Sequence, residues 1–408
     1  MYDNDGSKRV MNKTNHLHAS GDEYIYYLGF AIYMMSMWLE MSVISNIAFV
    51  ALALKLARYL SYVLFVYLIV VRLEISRRIM VLLVAIASVV VISTLVSHDK
   101  TNVFLMLFFC ASMGINANKI LDLFCKLLLS FWVIVVLLSR VGIIKDYIWD
   151  IGTRNRHMLG FKWTTTAPIL FLFITFTYIA LKKGRLRIIE SMIFVIVSYW
   201  LFVMTNTRLA FALNVFVVVF FCLFGKSINK LKRLPQVLSN LLSLSPFVLC
   251  MLVLLLYMLY DPNNVIMLKM NGLLSNRLAL GANAIEKYGL HLFGCQVKWV
   301  GWSINTNNSE MYNYVDCSYL QIGIQQGLLV LFVVLLIQSI IIYCSVKNQQ
   351  FYMCWIVLFI LLFGVNEPQL MNIGINIFPV LVATNWCVST GSFNSDYSID
   401  SCIRSEVI

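Results

Sequence analysis

A few side chains stand out for the chemistry that their types and positions allow. In VIVSYWLFVMTNTRLAFALNVFVVVFF, residues 195–221, two apolar runs meet at Met204-Thr205-Asn206-Thr207-Arg208, and no acidic residue lies nearby in sequence. A charge inside a spanning region costs roughly 2.5–3.5 kcal/mol on insertion scales, so Arg208 is expected to hold something. DIGTRNRHMLGFKW adds Arg154, Arg156, His157 and Lys162, and SNRLAL adds Arg277, with Glu286, Lys287 and His291 following it. Asp316 opens YVDCSYLQIGIQQG, and Glu367 lies in NEPQLMNIGINIF. Guanidiniums with few carboxylates to pair them suit a phosphate-bearing ligand, because arginine binds phosphate through two parallel hydrogen bonds and stays charged. A carboxylate or an imidazole within hydrogen-bond reach of a hydroxyl takes its proton, a role open to Asp316, Glu367 and His157. Aromatic residues accompany the charges: Trp149, Phe161 and Trp163, then Trp299, Trp302, Tyr312, Tyr314 and Tyr319. Some belong in an interfacial belt, and others offer apolar faces to sugar rings.

Each residue also has a purely structural reading. Arg154, Arg156 and Lys162 serve equally as loop charges snorkelling to head groups, and Arg208 as a hairpin arginine reaching lipid phosphates. Arg277 fits the polar face of an amphipathic helix, Asp316 is a good helix N-cap, and Glu367 before Pro368 suits a helix end. SHDKT (97–101) reads as an ordinary polar turn. The joint pattern, rather than any single residue, carries the phosphate reading.

The elements that must position these residues are membrane helices. Hydrophobic residues make up 61% of the 408 and charged residues 12%, against roughly 45–50% and 25% in a soluble domain. The fold expected is therefore all-α and polytopic. The net charge of +12 reads as the basic bias of cytoplasmic loops and not as a nucleic-acid surface. Ten cysteines show no metal-ligand spacing, and no metal or cofactor is expected; Cys295 and Cys317 share one loop, where a disulfide is allowed but is not the default.

Spans of about 20 apolar residues number about twelve. A polar N-terminal tail covers 1–23, helices one to nine 24–260, a long loop 261–315, helices ten to twelve 316–390, and a polar tail 391–408. The second span is read over 47–71, where Lys55 and Arg58 interrupt it and leave a start as late as Tyr59 open. RLEISRR, KKGRLR, GKSINKLKR and Lys347 then fall on one side, which the positive-inside rule makes cytoplasmic together with both termini. The candidate residues fall on the other side, where LLSNRLALGANAIEKYGLHLFG reads as an amphipathic surface helix.

RNRHMLGFKWTTTAP, TNTRLAFAL, NRLALGANAIEKYGLHLFG, VDCSYLQIGIQQGLL and NEPQLMNIGINIF, in that order, resemble the Wzy-type polysaccharide polymerases of the O-antigen polymerase and ligase superfamily. The resemblance covers about 150 to 380; in FKWTTTAP the chain departs from the His-Pro-Asn-like run more common in relatives. It implies a metal-independent glycosyltransferase of the bacterial cytoplasmic membrane, active on its outer face. Such an enzyme moves a growing glycan from undecaprenyl pyrophosphate to a lipid-linked repeat unit. Arg208, Arg277 and Arg154 or Arg156 would bind the pyrophosphate, and Asp316, Glu367 or His157 would take the acceptor proton. Its partners would be the lipid-linked oligosaccharide, membrane lipids, a flippase and a chain-length regulator, with no nucleic acid. Three other functions share parts of this pattern: an O-antigen ligase with another acceptor, a twelve-span transporter and a polysaccharide flippase. The late external loop and the lack of an internal repeat speak against the transporter, and charges at span ends speak against the flippase.

Overall fold

A computed structural model describes residues 5–72, 77–151, 154–230, 234–301 and 312–384. The chain is an all-α membrane protein. Its first helices are α1 (Asp5–Met41), α2 (Ala48–Arg72), α3 (Arg77–Ser97), α4 (Thr101–Ala111) and α5 (Ala117–Arg140). A hairpin of β1 (Ile148–Ile151) and β2 (Arg154–His157) leads to α6 (Thr166–Leu181), α7 (Ile188–Thr205), α8 (Arg208–Ile228), α9 (Gln236–Ser243) and α10 (Ser245–Met258). Then come α11 (Val265–Leu273), α12 (Arg277–Tyr288), α13 (Ser318–Gln321), α14 (Leu328–Lys347), α15 (Phe351–Phe363) and α16 (Val380–Thr384), with a π-helical segment, Ile322–Gln326, between α13 and α14.

Among the described residues α2, α3, α5, α7, α8 and α14 are long and apolar enough to cross a bilayer, and α9 with α10, bent by 41°, makes a further span if counted as one. The apolar helices α4, α6 and α15 are shorter, at 11, 16 and 13 residues. The last of the three spans expected over 316–390 is described only as far as α16, and the 391–408 tail lies outside the described residues. Two boundaries differ from the sequence reading. Helix α1 begins at Asp5, inside the expected polar tail. Helix α2 runs unbroken from Ala48 through Lys55 and Arg58, because Glu40 of α1 accepts a hydrogen bond from Arg58 Nη2 at 2.5 Å and neutralises the charge.

Helical periodicity explains how these elements pack. Asn116 caps α5 by accepting from the backbone N–H groups of Asn118 and Lys119. Helix α5 then buries Ile120, Phe124, Leu128, Phe131, Val135 and Ser139, one side chain every three or four residues. Helix α6 is buried almost all round from Ala167 to Ala180, so it is the central post against which α5, α7, α8 and α15 lie. By contrast α7 exposes Ile189, Met192, Ile193, Ile196, Tyr199 and Val203, an apolar stripe suited to lipid.

Side-chain and backbone contacts gather the interhelical turns into two groups. At one end Lys162 N–H donates to Met41 O, Arg156 reaches the α7–α8 turn, and Asp99 between α3 and α4 meets Gln325 and Gln326. At the other, Asn229 Nδ2 donates to Lys183 O and Gln236 Nε2 meets the Tyr343 hydroxyl.

Candidate functional site

Helix α12 begins where the sequence places an amphipathic helix, but it ends at Tyr288. Its buried face is Leu278, Gly281 and Ala284, whereas Leu292, inside the stretch read as that helix, lies beyond it and is exposed. The Asn271 side chain accepts from Ala279 N–H at 3.0 Å and so fixes the helix entry. At Gly281 an added Cβ would overlap the Tyr257 ring, so only glycine lets α12 approach α10 this closely. That approach sets where Arg277, the first residue of α12, projects.

Arg277 is the centre of a charged cluster. Its Nε donates to Asp316 Oδ2 at 2.8 Å, its Nη2 lies 3.5 Å from Glu367 Oε1, and its Nη1 donates to Asn366 O at 2.8 Å. Asp316 and Glu367, fifty-one positions apart (367 − 316), are brought together by Ser318. The Ser318 hydroxyl donates to Glu367 O at 2.6 Å, and its N–H donates to Gly364 O at 2.8 Å. Burial pushes both carboxyls above their ordinary range, and for Glu367 this outweighs the pull of Arg277, raising it to about 7. One guanidinium does not fully balance two carboxyls drawn out of water, so near neutrality Glu367 exchanges between its protonated and ionised forms. A carboxyl with that affinity is suited to proton transfer at physiological pH.

Arg156 stands beside this cluster, and its positive charge acts on Glu367. Its Nε donates to Thr205 O at 2.8 Å and its Nη2 to Thr207 Oγ1 at 3.4 Å, which ties β2 to the turn before Arg208. That turn is tight: Asn206 takes the left-handed conformation (φ 51°) to end α7, and Arg208 immediately opens α8. Thr207 makes no side-chain cap to α8. The first N–H groups of α8 and an exposed Arg208, which has no hydrogen bond or ion pair to another described side chain, therefore stand together. A cation at the positive end of a helix dipole is unfavourable unless an anion joins it.

The remaining candidates separate. His157 neighbours Arg156 in β2 and so points to the opposite side of the hairpin. There its Nδ1 meets Asp146 Oδ2 at 2.7 Å, while Asp146 Oδ1 accepts from the N–H groups of Met158 and Leu159. His157 is thus held against the end of α5 and is not part of the Arg277 cluster. The side chain of Arg154, like Trp302, lies outside the described residues. Cys295 and Cys317 are both free thiols, as the default reading had it. Glu286, Lys287 and His291 are exposed, Glu286 and Lys287 on the outer side of α12.

Several partners escape a reading by spacing. The hairpin itself does, although strands of four residues pairing Ile148 with His157 and Trp149 with Arg156 are what aim the basic residues. Its Trp149 stacks on Trp163 at 5.5 Å. Asp99, in the turn that looks ordinary in sequence, accepts from Gln325 Nε2 at 3.3 Å and from Gln326 Nε2 at 3.4 Å. The QQG run could have flagged those glutamines, but nothing local points to Asp99. Among the described residues no cluster of His, Cys, Asp and Glu has the makings of a metal site. No family model, curated protein or solved structure matches the chain.

Proposed function

We propose that this protein is a polysaccharide polymerase of the bacterial cytoplasmic membrane, with about twelve spans and its long loop outside. It transfers a growing glycan from undecaprenyl pyrophosphate to a lipid-linked repeat unit. The observation that carries this reading is the Arg277–Asp316–Glu367 cluster with Arg156 beside it, tied to the turn that presents the exposed Arg208: an acid–base centre next to placed positive charge.

In this mechanism the acceptor hydroxyl attacks the anomeric carbon of the donor. The bond from that carbon to the pyrophosphate oxygen breaks, and undecaprenyl pyrophosphate leaves with the electron pair. Arg208 and the open N-terminus of α8 hold the leaving phosphate, with Arg156 beside them. Charge placed in advance where negative charge develops lowers the barrier. Glu367, ionised in a substantial fraction near pH 7, takes the proton from the acceptor hydroxyl. Arg277, expected from the sequence among the phosphate binders, has another immediate task, since Nε, Nη1 and Nη2 are each engaged; it orients Asp316 and Glu367.

The test is reconstitution in liposomes with one defined lipid-linked repeat unit. Laddered polymer is expected from the wild type. Lysine keeps the charge of Arg208 but loses the paired donors, so Arg208→Lys should lose most of the activity, as should Arg208→Ala, with protein level and insertion unchanged. Long polymer from both variants would reduce Arg208 to an interfacial anchor. Transfer of preformed polymer to another lipid, without chain growth, would make the enzyme a ligase.

A further inference from the structure

On the other side of the Ser318 connection lies a second concavity that the reaction above does not use. Its mouth is lined by Tyr33, Asp99, Gln321, Gln325, Gln326 and Asn372, with Ser318 and Pro368 forming the wall shared with the carboxylate pair. Leu105, Met371 and Ile373 line both this mouth and an apolar slot between α3, α4, α14 and α16. The two are therefore one groove, polar at one end and apolar along the rest.

Its polar groups are not self-sufficient. Gln326 is 9% exposed and Asn372 half-buried, yet Gln326 Oε1 and Asn372 Oδ1 are buried atoms without a hydrogen-bond partner. Along the slot Asn102 and Gln338, 2% and 1% exposed, leave both the nitrogen and the oxygen of their amides unpartnered. An unmet buried polar group costs about 1–3 kcal/mol, so several around one groove point to a ligand that supplies the missing bonds. The charge of the groove narrows its chemistry. Among the described residues that line it, Asp99 is the one charged side chain, in a protein of net charge +12. A phosphate, which only accepts hydrogen bonds and is repelled by Asp99, fits poorly. A sugar fits well, because its hydroxyls both donate and accept, as carboxamides do. The slot follows α14 from Val330 to Gln338, about 12 Å at 1.5 Å per residue, or room for a chain of roughly ten carbons.

The geometry points to a second site that binds an amphiphile by a neutral, hydroxyl-rich headgroup at the glutamine mouth and a hydrocarbon chain in the slot, and that discriminates against phosphate headgroups. This binding is independent of the transfer reaction proposed above.

Photocrosslinking tests it. The full-length protein in phosphatidylcholine–phosphatidylglycerol nanodiscs is irradiated with decyl glucoside carrying a diazirine near the chain end. Label is expected on peptides covering 83–90, 105–109 and 330–338, competed away by unlabelled decyl glucoside and not by decyl phosphate. The double variant Gln326→Leu/Asn372→Leu should lower this labelling at least fivefold, and Ile337→Trp, which fills the slot, should do the same. Arg208→Ala should label like the wild type even where it transfers no sugar, which separates this site from the polymerase reading. Equal competition by decyl phosphate, wild-type labelling in the double variant, or labelling no stronger than on the lipid-facing stripe of α7 would each overturn the proposal.

Discussion

The two ends of this molecule hold their basic residues on opposite terms. At the end formed by the α6–α7 and α8–α9 turns, Lys183, Arg185, Arg187, Lys226 and Lys230 are exposed, and the Lys182–Glu190 pair at 3.3 Å is partly solvated. At the end formed by the hairpin, the α7–α8 turn and the start of α12, Arg277 is fixed by two carboxylates and a carbonyl, and Arg156 by the end of α7. Solvated charges of the first kind bias a chain's orientation in a membrane and contribute roughly 0–1 kcal/mol per pair to stability. Charges of the second kind are partly withdrawn from water and have their positions set, which is what chemistry requires.

The sharpest way to break this contrast is to remove one charge at each end. Arg277→Ala would leave the buried Glu367 and the half-buried Asp316 without their cation, and we expect it to abolish transfer and to lower stability by about 3 kcal/mol. Lys183→Ala should change stability by less than about 0.5 kcal/mol and leave activity intact. Thermal unfolding of the two purified variants, with polymer yield from each, measures this; similar behaviour of the pair would erase the distinction. Next in size, Gly281→Ala should push α12 off Tyr257 and displace Arg277, lowering transfer about tenfold or more at normal protein level. An unchanged rate would show that the α12 approach does not set the site.

The contrast also makes a prediction about sides. Single cysteines at Asn206, Asn283 and Asn366 should label from outside intact cells, and cysteines at Gly184 and Lys230 only after permeabilisation. Labelling of position 283 only after permeabilisation would put the cluster on the wrong face for an external reaction.

How much of this was legible in the sequence depends on how far apart the interacting residues lie. Long helices were readable because α5 and α7 carry their stripes within a few turns. Asp316, Glu367 and Arg277 were readable as types out of place, since charges in so apolar a chain stand out. Their mutual geometry was not, because it depends on Ser318 reaching Glu367 and Gly364 across more than forty positions. The interruption read at Arg58 has the same root: its neutralising partner, Glu40, sits on another helix. The separation of His157 from the cluster has a more local cause. Neighbouring strand residues face opposite ways, so a hairpin that aims Arg156 at the site must turn His157 away from it.

A smaller effect tests the cluster through stability. A carboxyl raised to about 7 in the folded protein, from an ordinary value near 4.5, binds more protons folded than unfolded between those pH values. Its contribution is therefore most favourable below about 4.5 and declines as pH rises to about 7. In Glu367→Gln that part of the pH dependence of the unfolding midpoint should flatten, and an unchanged slope would assign the titration elsewhere.

The most direct measurement is the rate of glycan transfer against pH for the wild type and Glu367→Gln in liposomes. If Glu367 takes the acceptor proton, the wild-type rate rises through about pH 7 as the carboxyl ionises, and the variant is slow and flat over the same range. A variant that keeps both the wild-type rate and its rising limb would contradict the account.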